Sequence, residues 1–259
     1  MSTEAAKRLL WLDDVSILFG GLKAVSHFNF HLKPRELCGL IGPNGAGKTT
    51  IFNLITGVYK PTSGAITLSG EGITQHPPFE IVKRGIARTF QNIRLFGELS
   101  VLDNVLISYH MKIGYNYPDL LLRTKRFVTV EADRVKKALS LLAIFGLDAR
   151  ADLVASSLPY GDQRRLEIAR ALATEPKALL LDEPAAGLNS REKVDLMETI
   201  SMIRKRFDLS ILLIEHDMKL VMGICERIVV LDHGEVIAEG SPREIQDNPK
   251  VIEAYLGVD

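Results

Sequence analysis

Residues 42 to 49 read GPNGAGKT, a glycine-rich run closed by lysine and threonine in the spacing G-x-x-x-x-G-K-[ST]. The chemistry of that spacing is phosphate binding. Gly42, Gly45 and Gly47 let consecutive backbone N–H groups curl around phosphate oxygens without Cβ clashes, and Pro43, Asn44 and Ala46 complete the cradle. A helix starting at Lys48 turns its partly positive end toward the same anion. The Lys48 ammonium is expected to reach the β- and γ-phosphates, the Thr49 hydroxyl to coordinate Mg2+, and Thr50 to add a phosphate contact. A second group, ALLLDEP at 178 to 184, supplies two acids. Asp182 is expected to hold Mg2+ through a water, and Glu183 to orient and partly deprotonate the water that attacks the γ-phosphorus. Alone, an Asp-Glu pair is ordinary solvated charge; downstream of a phosphate loop it reads as hydrolysis of MgATP.

These groups need a scaffold that ends strands abruptly at polar residues. ELCGLI precedes Gly42, ALLL precedes Asp182, and ILLI precedes Glu215 and His216. Continuous apolar runs of this length mark parallel strands covered by helices on both faces. Helical spacing follows each, over Lys48 to Thr56, Arg191 to Arg206 and Asp217 to Cys225. The order strand, loop, helix predicts a doubly wound α/β sheet with functional loops at the carboxyl ends of its strands. Ser16 to Leu32 and Gly64 to Ser69 alternate as antiparallel strands do, and Ile228 to Ala238 reads as a hairpin turning at His233-Gly234. From about Ser100 to Pro159 the character is helical, with Ser100 and Asp103 as a capping pair and an amphipathic Glu131 to Phe145. Within it, Ile113 to Phe127, with Gly114, Pro118 and the run LLLRTKRF, reads as a surface insertion. That run is expected to cover the lobe's own core rather than touch lipid headgroups.

Composition sets the outer bounds. The 259 residues allow one large α/β domain or two small ones, and 46% hydrophobic with 25% charged residues is an ordinary globular balance. Lys plus Arg equals Asp plus Glu at 32 each, so no net positive field makes nucleic acid a default partner. The start, MSTEAAKRLLWLDD, has no apolar stretch of signal-peptide length, and no uncharged run approaches the roughly 18 to 20 residues that span a bilayer. The chain is therefore expected in the cytosol. Cys38 and Cys225 sit in apolar segments without metal-ligand spacing and read as buried, reduced thiols.

Five further stations, in order along the chain, resemble the ATP-binding cassette family. Gln91 in ARTFQN resembles the Q-loop glutamine, which in that family senses Mg2+ and the attacking water and faces the transmembrane partner. LPYGDQRRLEIARAL, from Leu158 to Leu172, resembles the signature region usually written L-S-G-G-Q. Ala186 to Asn189 resembles the D-loop, His216 in LLIEHD the switch histidine at the γ-phosphate, and Phe19 the aromatic that stacks on adenine. The resemblance implies a catalytic set of Lys48, Gln91, Glu183 and His216 and a Mg2+ set of Thr49, Gln91 and Asp182. It also places Tyr160, Gly161, Asp162 and Gln163 against nucleotide held by another subunit. Two departures stand out. Pro159, Tyr160 and Asp162 replace the common Ser, Gly and Gly or Gln, which leaves the backbone N–H of Gly161 as the phosphate donor. Asn189 replaces the common D-loop aspartate, keeping a hydrogen-bonding side chain and losing the charge.

The implied architecture is a single ATPase domain over 1–259: a P-loop NTPase core with a mostly parallel sheet, a flanking antiparallel β layer, a helical subdomain at about 96–162 and a helical tail at 241–259. The L-P-Y-G form, RTFQNIRLFGELSVLDNV, EPAAGLN and the ending NPKVIEAYLG look like the ATPase subunits of branched-chain amino-acid importers, and relatives that import urea or other small amides share much of this wording. The implied cofactors are ATP and Mg2+. The implied partners are transmembrane permease subunits, a second identical or paralogous ATPase subunit and, indirectly, a solute-binding protein, with no nucleic acid. The implied place is the cytoplasmic face of the plasma membrane. Arg94 and Phe96 are the candidate contacts for a short permease helix in a groove beside the Gln91 loop. A soluble ATPase of the same superfamily acting on DNA or ribosomes is the competing reading; one cassette, no heptad run and no cysteine cluster argue against it.

Overall fold

The apolar runs become the inner strands of a six-stranded sheet in the computed structural model, which describes residues 8–109 and 116–256. In chain order the strands that make this sheet are β3 (Leu37–Ile41), β6 (Ile86–Arg88), β7 (Ala178–Asp182), β8 (Ser210–Ile214), β9 (Arg227–Asp232) and β10 (Glu235–Gly240). Across the sheet they run β10-β9-β3-β8-β7-β6, all parallel except the edge strand β10. Every residue of β3, β7 and β8 is buried, the pattern required when both faces are covered. Register then aligns the chemistry. Leu40 lies opposite Ile214, and Ile214 opposite Asp182, so Gly42, Glu183, Glu215 and His216 all emerge at one edge of the sheet.

A four-stranded antiparallel layer, ordered β2-β1-β4-β5, combines β1 (Leu10–Phe19), β2 (Leu22–Leu32), β4 (Ser63–Leu68) and the short β5 (Glu71–Gly72). The stretch from Ser16 to Leu32, read as one alternating segment, is the end of β1 and all of β2. Gly20 and Gly21, both at positive φ, turn the chain between them. Leu12, Val15, Phe28, Phe30 and Ile66 of this layer join Leu40, Ile51, Phe52 and Leu231 in one core. The predicted hairpin is β9 and β10, with His233 at φ 46° and Gly234 at φ 81° in its tip, the mirror-image turn that matches strand twist. Gly234 accepts from Ser26 N at 2.9 Å and donates to Ala46 O at 3.0 Å, and a Cβ there would meet Ala24 O at 2.7 Å. That tip therefore ties β2 to the glycine loop.

The helices α1 (Lys48–Ile55), α7 (Ser190–Arg206) and α8 (Met218–Ile224) match the predicted spans within a residue or two. Asn189 and Asp217 cap α7 and α8 through their side chains. Among the elements not foreseen are α2 (Pro78–Arg84), β5 and β6, while two short helices, α9 (Pro242–Gln246) and α10 (Pro249–Leu256), lie in the stretch read as a helical tail. Cys38 and Cys225 are free and buried, and burial pushes the Cys38 thiol up to about 12.

Residues 92–176 form a second compact unit; the chain before and after it forms the first. This second unit consists of α3 (Val101–Tyr109), α4 (Tyr117–Leu121), α5 (Lys125–Ile144) and α6 (Tyr160–Leu172) around Val101, Val105, Ala138, Leu142, Leu166 and Ala169. The Ser100 hydroxyl accepts from Asp103 N at 3.0 Å and donates to the Asp103 carboxylate at 2.7 Å, which caps α3. The insertion differs from expectation. Residues 113–115 lie outside the described residues, but α4 has no buried residue, so its leucines do not cover the lobe's core. Among the described residues no helix is long and apolar enough to cross a membrane.

Candidate functional site

The glycine loop leaves β3 at Gly42 with φ 151°, a backbone setting hostile to side chains. A Cβ at Gly42 would lie 2.0 Å from Leu231 O, and one at Gly47 would lie 2.7 Å from Ala24 O. Glycine is thus required at both positions by packing as well as by φ. Gly47 caps α1 in the left-handed conformation with no side-chain cap, so the first turn keeps its N–H groups for an anion. Lys48 is nearly buried and folds back over the loop, donating to Gly42 O and Pro43 O at 2.8 Å each. Burial lowers its pKa, while the carboxylates of Glu183 and Asp182 act in the opposite sense. Above the loop is a cleft of about 400 Å³ lined by Asn44, Gly45, Gly47, Lys48, Thr49 and Thr50 from the loop and by Glu183 and His216 from the neighbouring strand ends. Leu22, Lys23 and Ala24 of β2 and His233 of the hairpin tip complete the wall, four residues with no motif to announce them.

Glu183 is the centre of the acidic side. Its backbone sits at φ 46°, a left-handed setting that a non-glycine residue holds only where its surroundings enforce it, and its N–H donates to Ile214 O at 2.9 Å. One carboxylate oxygen accepts from Gln91 Nε2 at 2.7 Å; the other lies 2.9 Å from His216 Nε2. Three stations far apart in the sequence therefore meet at one carboxylate, which is mostly buried while His216 stays partly open to solvent.

Asp182 is held differently. Its carboxylate receives Arg88 Nη2 at 2.7 Å, and Arg88 Nη1 donates to Asn53 Oδ1 of α1 at 2.7 Å, with both charged side chains nearly buried. The guanidinium packs over the rings of Phe52 and Phe90. Arg88, three residues before Gln91, thus links Asp182 to the helix that follows the glycine loop, a role that spacing alone did not suggest. Glu215 is a second unforeseen residue. Buried at 3% exposure, it accepts from Ala185 N at 2.6 Å and His216 N at 3.1 Å, and burial raises its pKa. A third is Tyr255 on α10, whose phenol pKa is raised by burial while the backbone of Gly42 acts in the opposite sense.

Among the described residues no group of three or more His, Cys, Asp or Glu side chains could hold a metal. Mg2+ takes one or two protein oxygens and otherwise uses water and phosphate. Thr49, exposed on the cleft, and Asp182, close enough to Lys48 to act on its charge, are an all-oxygen set of that kind.

Phe19 and Asp182 are not among the cleft walls. Phe19 is half-exposed at the end of β1, its ring edge-on to Tyr59 at 5.2 Å. Tyr160, Gly161, Asp162 and Gln163 form the first turn of α6 in the second unit, with Pro159 as its cap. The Tyr160 hydroxyl accepts from Arg164 at 3.1 Å, Gln163 donates to Leu158 O at 2.8 Å, and Asp162 pairs with Arg150 and, at 3.6 Å, Arg165. Those pairings offset the negative charge that Asp162 brings to the first turn of α6. In the same unit Arg94 N donates to Glu167 at 3.3 Å, and Phe96 is half-exposed beneath the Arg170 guanidinium. Asn189 spends its side chain on α7, accepting from Arg191 N and Glu192 N at 3.0 Å each.

A family profile described as ABC transporter matches residues 25–186, and one described as branched-chain amino acid ATP-binding cassette transporter matches residues 235–259. The chain is 48% identical to the high-affinity branched-chain amino acid transport ATP-binding protein LivG of Salmonella typhimurium, over 96% of this chain and 98% of that protein. Among solved structures it is similar to the ADP conformation of an ATP-binding cassette of an ABC transporter, at 31% identity and TM-score 0.84 over 97% of this chain and 99% of the other. It is also similar to a dimeric post-hydrolysis ATP-binding cassette bound to ADP and phosphate, at 28% identity and TM-score 0.74 over 90% and 99% of the two chains.

Proposed function

The chain belongs to the ATP-binding cassette family of ABC transporters, and from that premise we propose that it hydrolyses MgATP over Gly42 to Thr50 to drive uptake of branched-chain amino acids through separate permease subunits. It is an ATPase of the P-loop NTPase fold. The observation that carries the assignment of the reacting centre is Glu183, strained at φ 46° and held between Gln91 and His216 at the wall of the phosphate cleft. In the proposed mechanism Lys48 exchanges its two carbonyl partners for β- and γ-phosphate oxygens, and the loop amides and the α1 terminus stabilise the charge that spreads over the transferred group. Glu183, oriented by Gln91 and His216, accepts a hydrogen bond from the attacking water and draws off its proton. Thr49, Gln91 and Asp182 would hold Mg2+, which would supply positive charge beside the phosphates. Phe19 stacks on adenine.

Two subunits are proposed to close head to tail, each Gly161 N–H, with Tyr160, Asp162 and Gln163, facing nucleotide held by the other; the likeness to a dimeric cassette supports this. A permease is proposed to dock at Arg94 and Phe96, which keeps the chain at the inner membrane face, and a solute-binding protein delivers cargo to that permease. The identity to LivG supports the cargo class. Glu183→Gln should retain nucleotide binding and lose about 10²- to 10⁴-fold in turnover. Undiminished steady-state ATPase with permease present would remove Glu183 from this role. Uptake of labelled leucine rather than urea by the reconstituted transporter checks the cargo.

A further inference from the structure

The hairpin formed by α4 and the start of α5 turns its apolar side chains outward. Tyr117 is 88% exposed, Leu121 85% and Leu122 73%. Large apolar side chains are not normally left open together on a surface that has nothing to meet. Their neighbours Arg123, Lys125 and Arg126 are exposed as well, and among the described residues neither Arg123 nor Lys125 has an ion-pair partner. One acid, Asp119, lies between residues 116 and 128, and it is turned inward: its carboxylate accepts from Thr124 Oγ1 at 2.7 Å and, at 3.4 Å, Asn116 N, and lies 3.9 Å from the Arg126 guanidinium, which stays mostly exposed. The outward face of the hairpin is therefore cationic and apolar at once, in a chain whose net charge is zero.

The shape is held without burial. Asn116 and Asp119 form a reciprocal capping box, Thr124 N donates to Asp119 O at 3.1 Å, and the Thr124 hydroxyl caps α5. A hairpin kept in place by its own polar bonds can present leucines outward without losing its fold. We propose that this face, Tyr117, Leu121 and Leu122 with Arg123, Lys125 and Arg126, lies against an anionic lipid surface, the apolar side chains entering the headgroup layer and the cations pairing with lipid phosphates. Charge complementarity selects this occupant: a tyrosine and leucines suit the acyl boundary, while the three cations suit acidic headgroups. A second copy of the chain would bring like charges together, and nucleic acid would leave the leucines in water.

This contact is independent of the permease reading, because the subunit alone should bind membranes. The test is flotation of the purified full chain with vesicles of phosphatidylethanolamine and phosphatidylglycerol, compared with vesicles of phosphatidylcholine. The chain should float with the acidic vesicles and not with the neutral ones, and added salt should weaken binding. Leu121→Ser with Leu122→Ser, and separately Arg123→Glu with Lys125→Glu and Arg126→Glu, should each lower the partition coefficient at least about tenfold. Basal ATPase and melting temperature should stay as in the parent, since all five side chains are exposed. Absence of flotation, equal binding to both vesicle types, or variants that bind like the parent each overturn the proposal. So would variants that float normally but no longer co-purify with a permease, or that change oligomeric state, since the face would then belong to a protein contact. Any of these failures leaves the ATPase assignment standing, whose own readout is Glu183→Gln.

Discussion

Arg88 tests how the site's acids are held. Arg88→Met keeps most of the side-chain volume against Phe52 and Phe90 but strands Asp182, whose carboxylate side chain is only 5% exposed and loses its donor at 2.7 Å. Asn53 loses its partner in the same step. Removing one member of a buried pair costs about 3–5 kcal/mol, because the remaining charge has neither water nor a counter-ion. Lys48 feels the Asp182 charge and takes up part of the imbalance, which favours the lower end of that range. At roughly 2–4 °C per kcal/mol for a chain of this size, the melting temperature should fall by about 6–12 °C. Arg88→Lys retains a charge but not the fork that reaches both Asp182 and Asn53, and should cost about 1.5–3 kcal/mol. In Arg88→Met with Asp182→Asn the stranded charge is gone, so the double variant should recover about 1–3 kcal/mol relative to the sum of the single losses. Thermal unfolding by circular dichroism, without nucleotide, reads all five proteins: the parent, Arg88→Met, Arg88→Lys, Asp182→Asn and the double variant. A melting temperature for Arg88→Met within about 1 °C of the parent, or strictly additive losses in the double variant, would refute the pairing argument.

Two more predictions concern buried carboxylates. Glu215→Gln offers one acceptor oxygen where Ala185 N, His216 N and Asp217 N converge, and its amide then faces an N–H; although the change relieves a buried charge, a net loss of about 1–3 kcal/mol is expected in chemical denaturation. A variant as stable as the parent would show that the charge penalty wins. For Glu36, burial pulls the pKa upward, but the hydrogen bond from Arg227, together with Lys33 N and the charges of both residues, brings it below its ordinary value of 4.5. A depressed pKa means stability that is present above 4.5 and lost as pH falls through the lower folded value. The melting-temperature gap between the parent and Glu36→Gln should therefore be open near neutral pH and narrow on acidification below that point; a gap independent of pH counts against the Arg227 pairing.

Much of the site was legible because its chemistry is local. GPNGAGKT is contiguous, and its glycines are needed where the backbone of this one loop approaches Leu231 and Ala24. The inner strands were equally plain, since strands covered on both faces carry near-continuous apolar runs, here LCGLI, ALLL and ILLI. The edge strand β6, three residues long, and the two-glycine turn inside the alternating Ser16 to Leu32 stretch carry too little periodicity to be separated from their surroundings. The insertion was misjudged for a related reason: a run of leucines looks alike whether it covers a core or faces outward.

By itself, then, the order of residues determined the phosphate loop, the strand and helix that flank it and the class of the sheet, because each depends on neighbours within about ten positions. Tertiary structure alone decided that Gln91, Glu183 and His216 share one carboxylate, that Arg88 joins Asp182 to Asn53, and that Glu215 fastens Ala185 to His216. These contacts cross as many as 94 positions of chain. They exist because parallel strands stack in one register and release their loops at one edge, and side chains so delivered meet through geometry that no spacing in the sequence encodes.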